Sequence, residues 1–582
     1  MNTFRFLTAA ALLFLAVQRQ SLAGSATWSN NPLSGDWNTA ANWIPNTIPN
    51  GTSDIATFGT SAVTSLSVSY GVNIAVDQIA FDNSAPPYTI SVVVSNLIFS
   101  GMGVVNNSGS VQSFVAPTTD NNIGAIFFLN SANAGEMTSF SAVGGLFSFN
   151  DSSSAGSATI DLSDTTFQAK VDFFDFSTAA NATINASGGA EVNLFGNATG
   201  GNATLTITGE SFLGIVEDAT ADHASATCIG GDQYFGAGIF FQGFASAGEG
   251  TFTAVGASSS GEKGAYIEFD GSATAANATF IIGGGLGAGL AATTLTFFDT
   301  TTAAAATITA NGGVDGSEGG AIIFTNKSKG GTASITLSGN GELDMSTHVA
   351  PGVTIGSLAG VGSVLLGANT LTIGSNNQST TFSGVIQESG SLIKIGTGTL
   401  ILTGSNTYTG TTTVNGGVLN AGNNNGSATG SGAVQVNTGT LGGKGIVAGP
   451  TTIGSGSGAG AFLAPAVGSN KQTTLTLQSA LTLNSDATYT CIFKAKQSKA
   501  RTDKVIANGV TINSATITLS GQTQGSLKRG LTLTVINNTS ANPISGTFSN
   551  LPDGAIVTVN GNNLQASYSG GDGNDLTLTV VP

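Results

Sequence analysis

The sequence predicts an all-β protein wound as a β-solenoid. Three observations carry that reading: scarce charge, abundant glycine and a unit that recurs every 21–28 residues. Only 8% of the 582 residues are charged, while Gly accounts for 83 of them and 40% are hydrophobic. A disordered chain needs low hydrophobicity and high charge, so that class is excluded. Coiled coils need Ala, Glu, Lys, Leu and Arg in bulk, and collagen needs Gly at every third position with much Pro. Two Cys cannot make a disulfide scaffold.

The chain opens with one early cation, Arg5, then an apolar run from Phe6 to Val17 and a small-x-small pattern at Ser21-Leu22-Ala23. This reads as a secretory signal peptide over 1–23, too short in its apolar part to span a bilayer. Export then makes the thiols informative. Cys228 and Cys491 are 263 residues apart, far along any rod, and are expected to be buried and unpaired. No transmembrane segment is expected in the mature chain.

Residues 24–125 read as an N-terminal cap and first rungs. All three tryptophans, Trp28, Trp37 and Trp43, fall here. A solenoid exposes unpaired strand edges at its ends, and an aromatic-rich, Pro-broken segment is a suitable cover. The functional alternative is a carbohydrate-stacking platform formed by the same three rings.

Residues 126–345 form the ladder. An aromatic strand, a small-residue stretch and a Thr-apolar strand recur, as in Phe173–Ile184, Tyr266–Phe280 and Leu295–Ile308. Thr138, Thr159, Thr183, Thr204, Thr227, Thr251, Thr279, Thr307 and Ser334 take equivalent places. Each unit is too small to bury its own apolar face, but stacked units share a core and pair strand to strand at ~4.8 Å. Inward positions take Phe, Ile, Leu and Val, and corners need the positive φ that Gly and Asn supply. At ~23 residues per rung the mature chain would make ~24 rungs and a rod on the order of 115 Å.

Residues 346–490 contain Gly396-Thr-Gly398, Leu400, Leu402, Gly404, Asn406-Thr-Tyr408, Gly410, Thr412–Val414, Gly417 and Leu419. This order resembles the autotransporter-associated β-strand repeat of bacterial exported passenger proteins, and the likeness runs over about 360–450. It implies a right-handed parallel β-helix. On the residues alone, Leu400 and Leu402 share one strand face, and Asn406 and Gly410 bracket a turn around Tyr408. Self-secreting members end in a membrane barrel with aromatic girdles, which the region after Pro450 does not show. Separate export machinery is therefore expected. Residues 491–582 alternate apolar and polar positions, as in Leu531–Ile536 and Leu576–Val580, and read as a C-terminal β cap.

Sites are sparse. Two His, His223 and His348, argue against histidine chemistry and zinc, and both are expected to be satisfied surface or turn residues. Asp270 and Asp299 each follow an aromatic in adjacent units, with Asp175 further along. They are the catalytic candidates, placed like a stacked carboxylate pair, with solvated corner residues as the default. Gly570–Asp575 resembles one copy of the Ca²⁺-binding nonapeptide of RTX proteins. Asp572 and Asp575 are the metal candidates it implies, with a Gly-rich turn as the default. Residues 24–390 hold 27 acidic and 4 basic residues, net −23, which argues against nucleic acid. Lys494, Lys496, Lys499, Arg501 and Lys504 form a basic cluster that protects an edge strand or docks on an anionic polymer. The function expected is a non-catalytic structural or adhesive protein, extracellular or on the cell surface, with the periplasm as the alternative. Surface polysaccharide or other cell-surface components are the partners expected. The competing readings are a polysaccharide lyase or glycosidase and a Ca²⁺-stabilised carbohydrate-binding module.

Overall fold

The computed structural model describes residues 24–119, 122–163, 169–231, 236–458, 460–467, 471–496 and 498–582. The expected signal peptide lies outside the described residues. The chain is a parallel β-helix of about 19 turns. That makes a rod on the order of 90 Å at the strand spacing, shorter than the sequence suggests. Turns near the C-terminal end are the reason: partners there stand 29 to 34 residues apart, as in Leu481↔Val510 and Thr511↔Ser545.

Each turn in the ladder has three walls. The first is a four-residue strand, such as Lys170–Phe173, Tyr266–Phe269 or Thr294–Phe297. Its inward residues stack on their copies: Phe128, Phe149 and Phe173 lie 4.5 and 4.8 Å apart, nearly parallel. Leu194 and Ile215 interrupt this stack, and Phe241, Phe269, Phe297 and Phe324 resume it at 4.4–4.9 Å.

The narrow third wall is a column of single-residue parallel bridges, Thr178↔Thr199↔Thr220↔Ser246↔Thr274↔Thr302. The small-residue stretch of each unit builds it, because only Ala or Gly fits opposite the Phe stack; Ala179, Ala275 and Ala303 are fully or almost fully enclosed. The second residue after each bridge turns with positive φ. The preceding hydroxyl accepts that residue's N–H, as Thr178 Oγ1 does from Ala180 and Thr274 Oγ1 from Ala276. Gly156, Gly201, Gly248 and Gly331 fill this left-handed place without strain, whereas Ala180, Ala276 and Ala304 occupy it at φ 46–50°.

The second wall carries the Thr-apolar strands. Its apolar positions point inward and its Thr and Ser positions outward, as in Thr204–Thr208 and Thr251–Val255. The pairing corrects two of the expected equivalences. Ser139, not Thr138, pairs with Thr159; Ser225, not Thr227, pairs with Thr204. Thr227 stands two residues on, opposite Thr206. Both Thr and Ser are frequent at outward positions, so composition alone blurs the register.

Beyond Gly352 the helix continues through the passenger-like repeat. Strands Thr412–Ala421 and Val434–Gly443 run through a corner, with register irregularities at the bend. Asn406 explains its turn: Oδ1 accepts the Ile386 N–H at 2.8 Å and Nδ2 donates to the Ala428 carbonyl, so one amide ties three turns. Tyr408 is buried with its hydroxyl 2.6 Å from Thr412 Oγ1. Lys394 points inward from the same region. Its ammonium donates to the carbonyls of Ile395, Gly396 and Gly416, and burial lowers its pKa to about 8.

Both ends are covered. Trp28 and Trp37 pack edge-on against Trp43 at 5.0 and 4.8 Å, and all three rings touch Phe58, the first inward aromatic of the stack. Each indole N–H finds a backbone carbonyl, at Val63, Pro49 and Trp37. The tryptophans are 0–1% exposed, so they are the cap and offer no sugar platform. At the other end, Thr532–Asn538, Asp575–Val581, Asn562–Gly570 and Ile556–Val559 pair antiparallel and close the helix.

Two stability predictions follow from these positions. Ala276→Gly or Ala304→Gly relieves a left-handed alanine and should stabilise the rod by about 1 kcal/mol, read as a higher Tm. Lys394 holds its proton less tightly when folded than when unfolded. Stability should therefore rise as pH climbs from about 8 towards 10.5, by at most about 3 kcal/mol, and this rise should vanish in Lys394→Met on thermal melts against pH.

Candidate functional site

Successive residues of a strand point to opposite faces, so the aromatic doublets of the ladder split between core and exterior. Phe173, Phe241 and Phe297 are inside; Phe174, Phe240 and Phe298 are half-buried on the outer face of the first wall. Phe195, Phe212 and Tyr266 join them there. The expectation that these aromatics serve the core was thus half of the picture. The signal was present in the doublets themselves, because two neighbours on a strand cannot share a face.

The outer face of this wall runs rung by rung through Lys170 and Asp172, Glu191 and Asn193, Phe212 and Gly214, Gly238 and Phe240, then Tyr266 and Glu268, to Thr294 and Thr296. Phe174 stacks on Phe195 at 5.0 Å. Phe240 meets Phe212 and Tyr266 edge-on at 5.9 and 5.4 Å. Tyr266 lies over Gly238: a Cβ there would come within 2.7–2.9 Å of its ring carbons and hydroxyl. A Lys170–Glu191 pair at 2.7 Å and an Asn193 Nδ2–Asp172 Oδ1 bond at 2.9 Å organise the N-terminal end.

Several carboxyls on this wall are held above their ordinary range. Burial raises Glu268, with the Asp270 carboxyl adding to it. Burial also raises Asp172, against the Asn193 bond. Asp270 is raised by burial and by its neighbour Asp299, against the Gly271 N–H that its Oδ1 accepts at 2.7 Å.

Asp270 and Asp299 are not equivalents. The register sets Phe269 beside Phe297, which places Asp270 beside Phe298 and Asp299 beside Gly271. Asp175 and Asp299 do share a place: the left-handed corner two residues after the inward aromatic, at φ 57 and 47°. Acids in this corner column serve the backbone. Asp151 accepts the Asn130 N–H at 2.8 Å, Asp175 that of Asp151 at 3.2 Å, and Glu217 that of Gly196 at 2.9 Å. Each carboxylate closes an orphan donor on the previous turn.

The remaining candidates fall elsewhere. Among the described residues no three His, Cys, Asp or Glu side chains converge as a metal site. Asp575 is buried and accepts the Asn538 N–H at 2.9 Å, while Asp572 is exposed at the hairpin tip. His223 is exposed between Asp222 and Glu249, at 3.5 and 3.6 Å. His348 departs from expectation: it is buried, with Nε2 2.8 Å from the Ser328 carbonyl and Nδ1 unpartnered. Cys228 and Cys491 are free and buried, and burial pushes both thiols up, Cys491 to about 12. The basic cluster sits on a hairpin in which Lys494 faces Arg501 and Lys496 faces Lys499. Lys504 lies on a separate strand that pairs parallel to Thr474–Leu477. Among the described residues Lys499–Thr502 is paired along one side, with Ala487–Lys496.

Comparison with known proteins agrees with this architecture. Residues 392–421 match the passenger-associated-transport-repeat family. The chain is also similar to the adhesin BmaC autotransporter of Brucella suis biovar 1 (strain 1330), 40% identical over 98 residues. That match covers 17% of this chain and 3% of the relative. The repeat, the relative and the solenoid together support a β-helix protein similar to autotransporter passengers. Among the described residues no helix is long and apolar enough to cross a membrane.

The raised carboxyls set a pH dependence. Glu268 keeps its proton to higher pH in the folded chain than in the unfolded one. Its contribution therefore falls as pH rises from 4.5 through the folded pKa. Melts should show Tm increasing as pH is lowered from neutral towards the ordinary glutamate value of 4.5, with a smaller increase in Glu268→Gln.

Proposed function

We propose that the protein is an exported, non-catalytic rod that works as an adhesive or structural element at the bacterial cell surface. The outer face of the first wall is its contact surface. The observation that carries this reading is the aromatic strip. An outward strand position gains nothing for the core from Phe or Tyr, and the second wall fills the same kind of position with Thr and Ser. The adhesin relative supports the adhesive sense, and the passenger-type repeat supports export. Of the acidic candidates, Asp175 is occupied by a backbone N–H of the preceding turn, as are its column members Asp151 and Glu217, and Asp299 by the Asn326 amide, which supports a structural task for these acids.

Antibody against the folded protein should label intact producing cells, and deletion of the gene should lower their attachment to a coated surface. Unlabelled intact cells with unchanged attachment would contradict the proposal. So would polysaccharide turnover by the purified protein that disappears in Asp270→Asn or Asp299→Asn.

A further inference from the structure

Within the aromatic strip, one stretch has the form of a binding subsite. Tyr266 lies down on Gly238, one ring face against the wall and the other directed away from it. The neighbouring Phe240 ring stands at 75° to it, 5.4 Å away, as an upright side wall. Hydrogen-bonding groups surround this floor. Glu268 is the next outward position of the same strand and Thr294 lies beside Tyr266 on the following rung, while Asp270 and Gln242 stand further along, just past the strand ends. A flat aromatic face edged by acceptors and hydroxyls suits a sugar ring, whose axial C–H face is apolar and whose rim is polar. The column Phe212, Gly238, Tyr266 and Thr294 runs along the axis at ~4.8 Å per rung, so a chain laid along the axis over Tyr266 follows that column.

Resting on the adhesive reading above, we propose that Tyr266 and Phe240 form the stacking platform of a glycan-binding strip whose ligand is a neutral polysaccharide lying parallel to the helix axis. Charge selects within the class. Residues 24–390 carry a net −23, and on this wall Lys170 is already paired with Glu191. An anionic polymer would meet repulsion along this acidic part of the rod, whereas the Glu268 carboxyl accepts hydroxyl hydrogens from an uncharged one. Gly238 is a positioning residue, since any side chain there lifts Tyr266 off the wall.

The test is affinity electrophoresis and calorimetry of the full chain with a neutral β-glucan, an acidic polygalacturonate and a denatured-collagen protein ligand. The neutral glucan should bind with little dependence on salt. Tyr266→Ala and Phe240→Ala should each weaken it at least tenfold, with Tyr266→Phe close to the parent. Phe176→Ala and Phe244→Ala, at exposed corner tips, should leave it unchanged. Thermal melts confirm that each variant is folded; should Phe240→Ala not fold, Gly238→Ala provides the second arm, again with at least tenfold loss. Binding of polygalacturonate or of the protein ligand in place of the glucan would overturn the ligand class, as would glucan binding indifferent to Tyr266→Ala. If no glycan binds while producing cells still attach through this protein, the subsite is refuted and the adhesive reading stands.

Discussion

The whole molecule depends on one constraint: every side chain sits about 4.8 Å from the side chain at the same position of the next turn. An inward phenylalanine therefore packs on another phenylalanine, and the column Phe241, Phe269, Phe297, Phe324 becomes a single stack. A charge placed in such a column would face its copy at the same spacing in a poorly solvated setting. The chain meets that problem by being sparsely charged. Where acids do stack, at the corner that includes Asp151, Asp175 and Glu217, each is given a backbone N–H to accept.

Stacking also dictates the cross-section. Aromatic bulk from the first wall fills the interior, so the opposing third wall must be built of alanine and glycine. It narrows to one bridging residue per turn, held by hydroxyls that cap left-handed neighbours. Ends are the complement of the same rule. A stack that stops leaves an exposed aromatic and unpaired strand edges, and the Trp28–Trp37–Trp43 cluster seals the first against Phe58. Antiparallel pairing from Thr532 onward terminates the last.

Much of this was legible in the sequence. The recurring aromatic–small–Thr unit, the passenger-like repeat and the buried, unpaired thiols follow from periodicity and composition. Register was harder. Thr and Ser crowd the outward places of the second wall, so Thr227 and Ser225 compete for one slot, and only the hydrogen-bond ladder decides. A one-residue offset of the same kind separates Asp270 from Asp299: their backbones stand beside Phe298 and Gly271, although the two carboxyls still interact diagonally. The exterior strip was hidden for a different reason. Hydrophobic side chains read as core, and the outward member of each Phe doublet has the composition of a core residue with the position of a surface one.

Register is therefore the claim on which the corner acids, the Phe stack and the Tyr266 floor all rest, and paired cysteines measure it directly. Neighbours in register lie within disulfide reach, and a two-residue slip takes the Cα atoms beyond ~7 Å. Thr206→Cys with Thr227→Cys should oxidise to an intramolecular disulfide, while Thr204→Cys with Thr227→Cys should stay reduced. A bond in the second pair and none in the first would contradict the account.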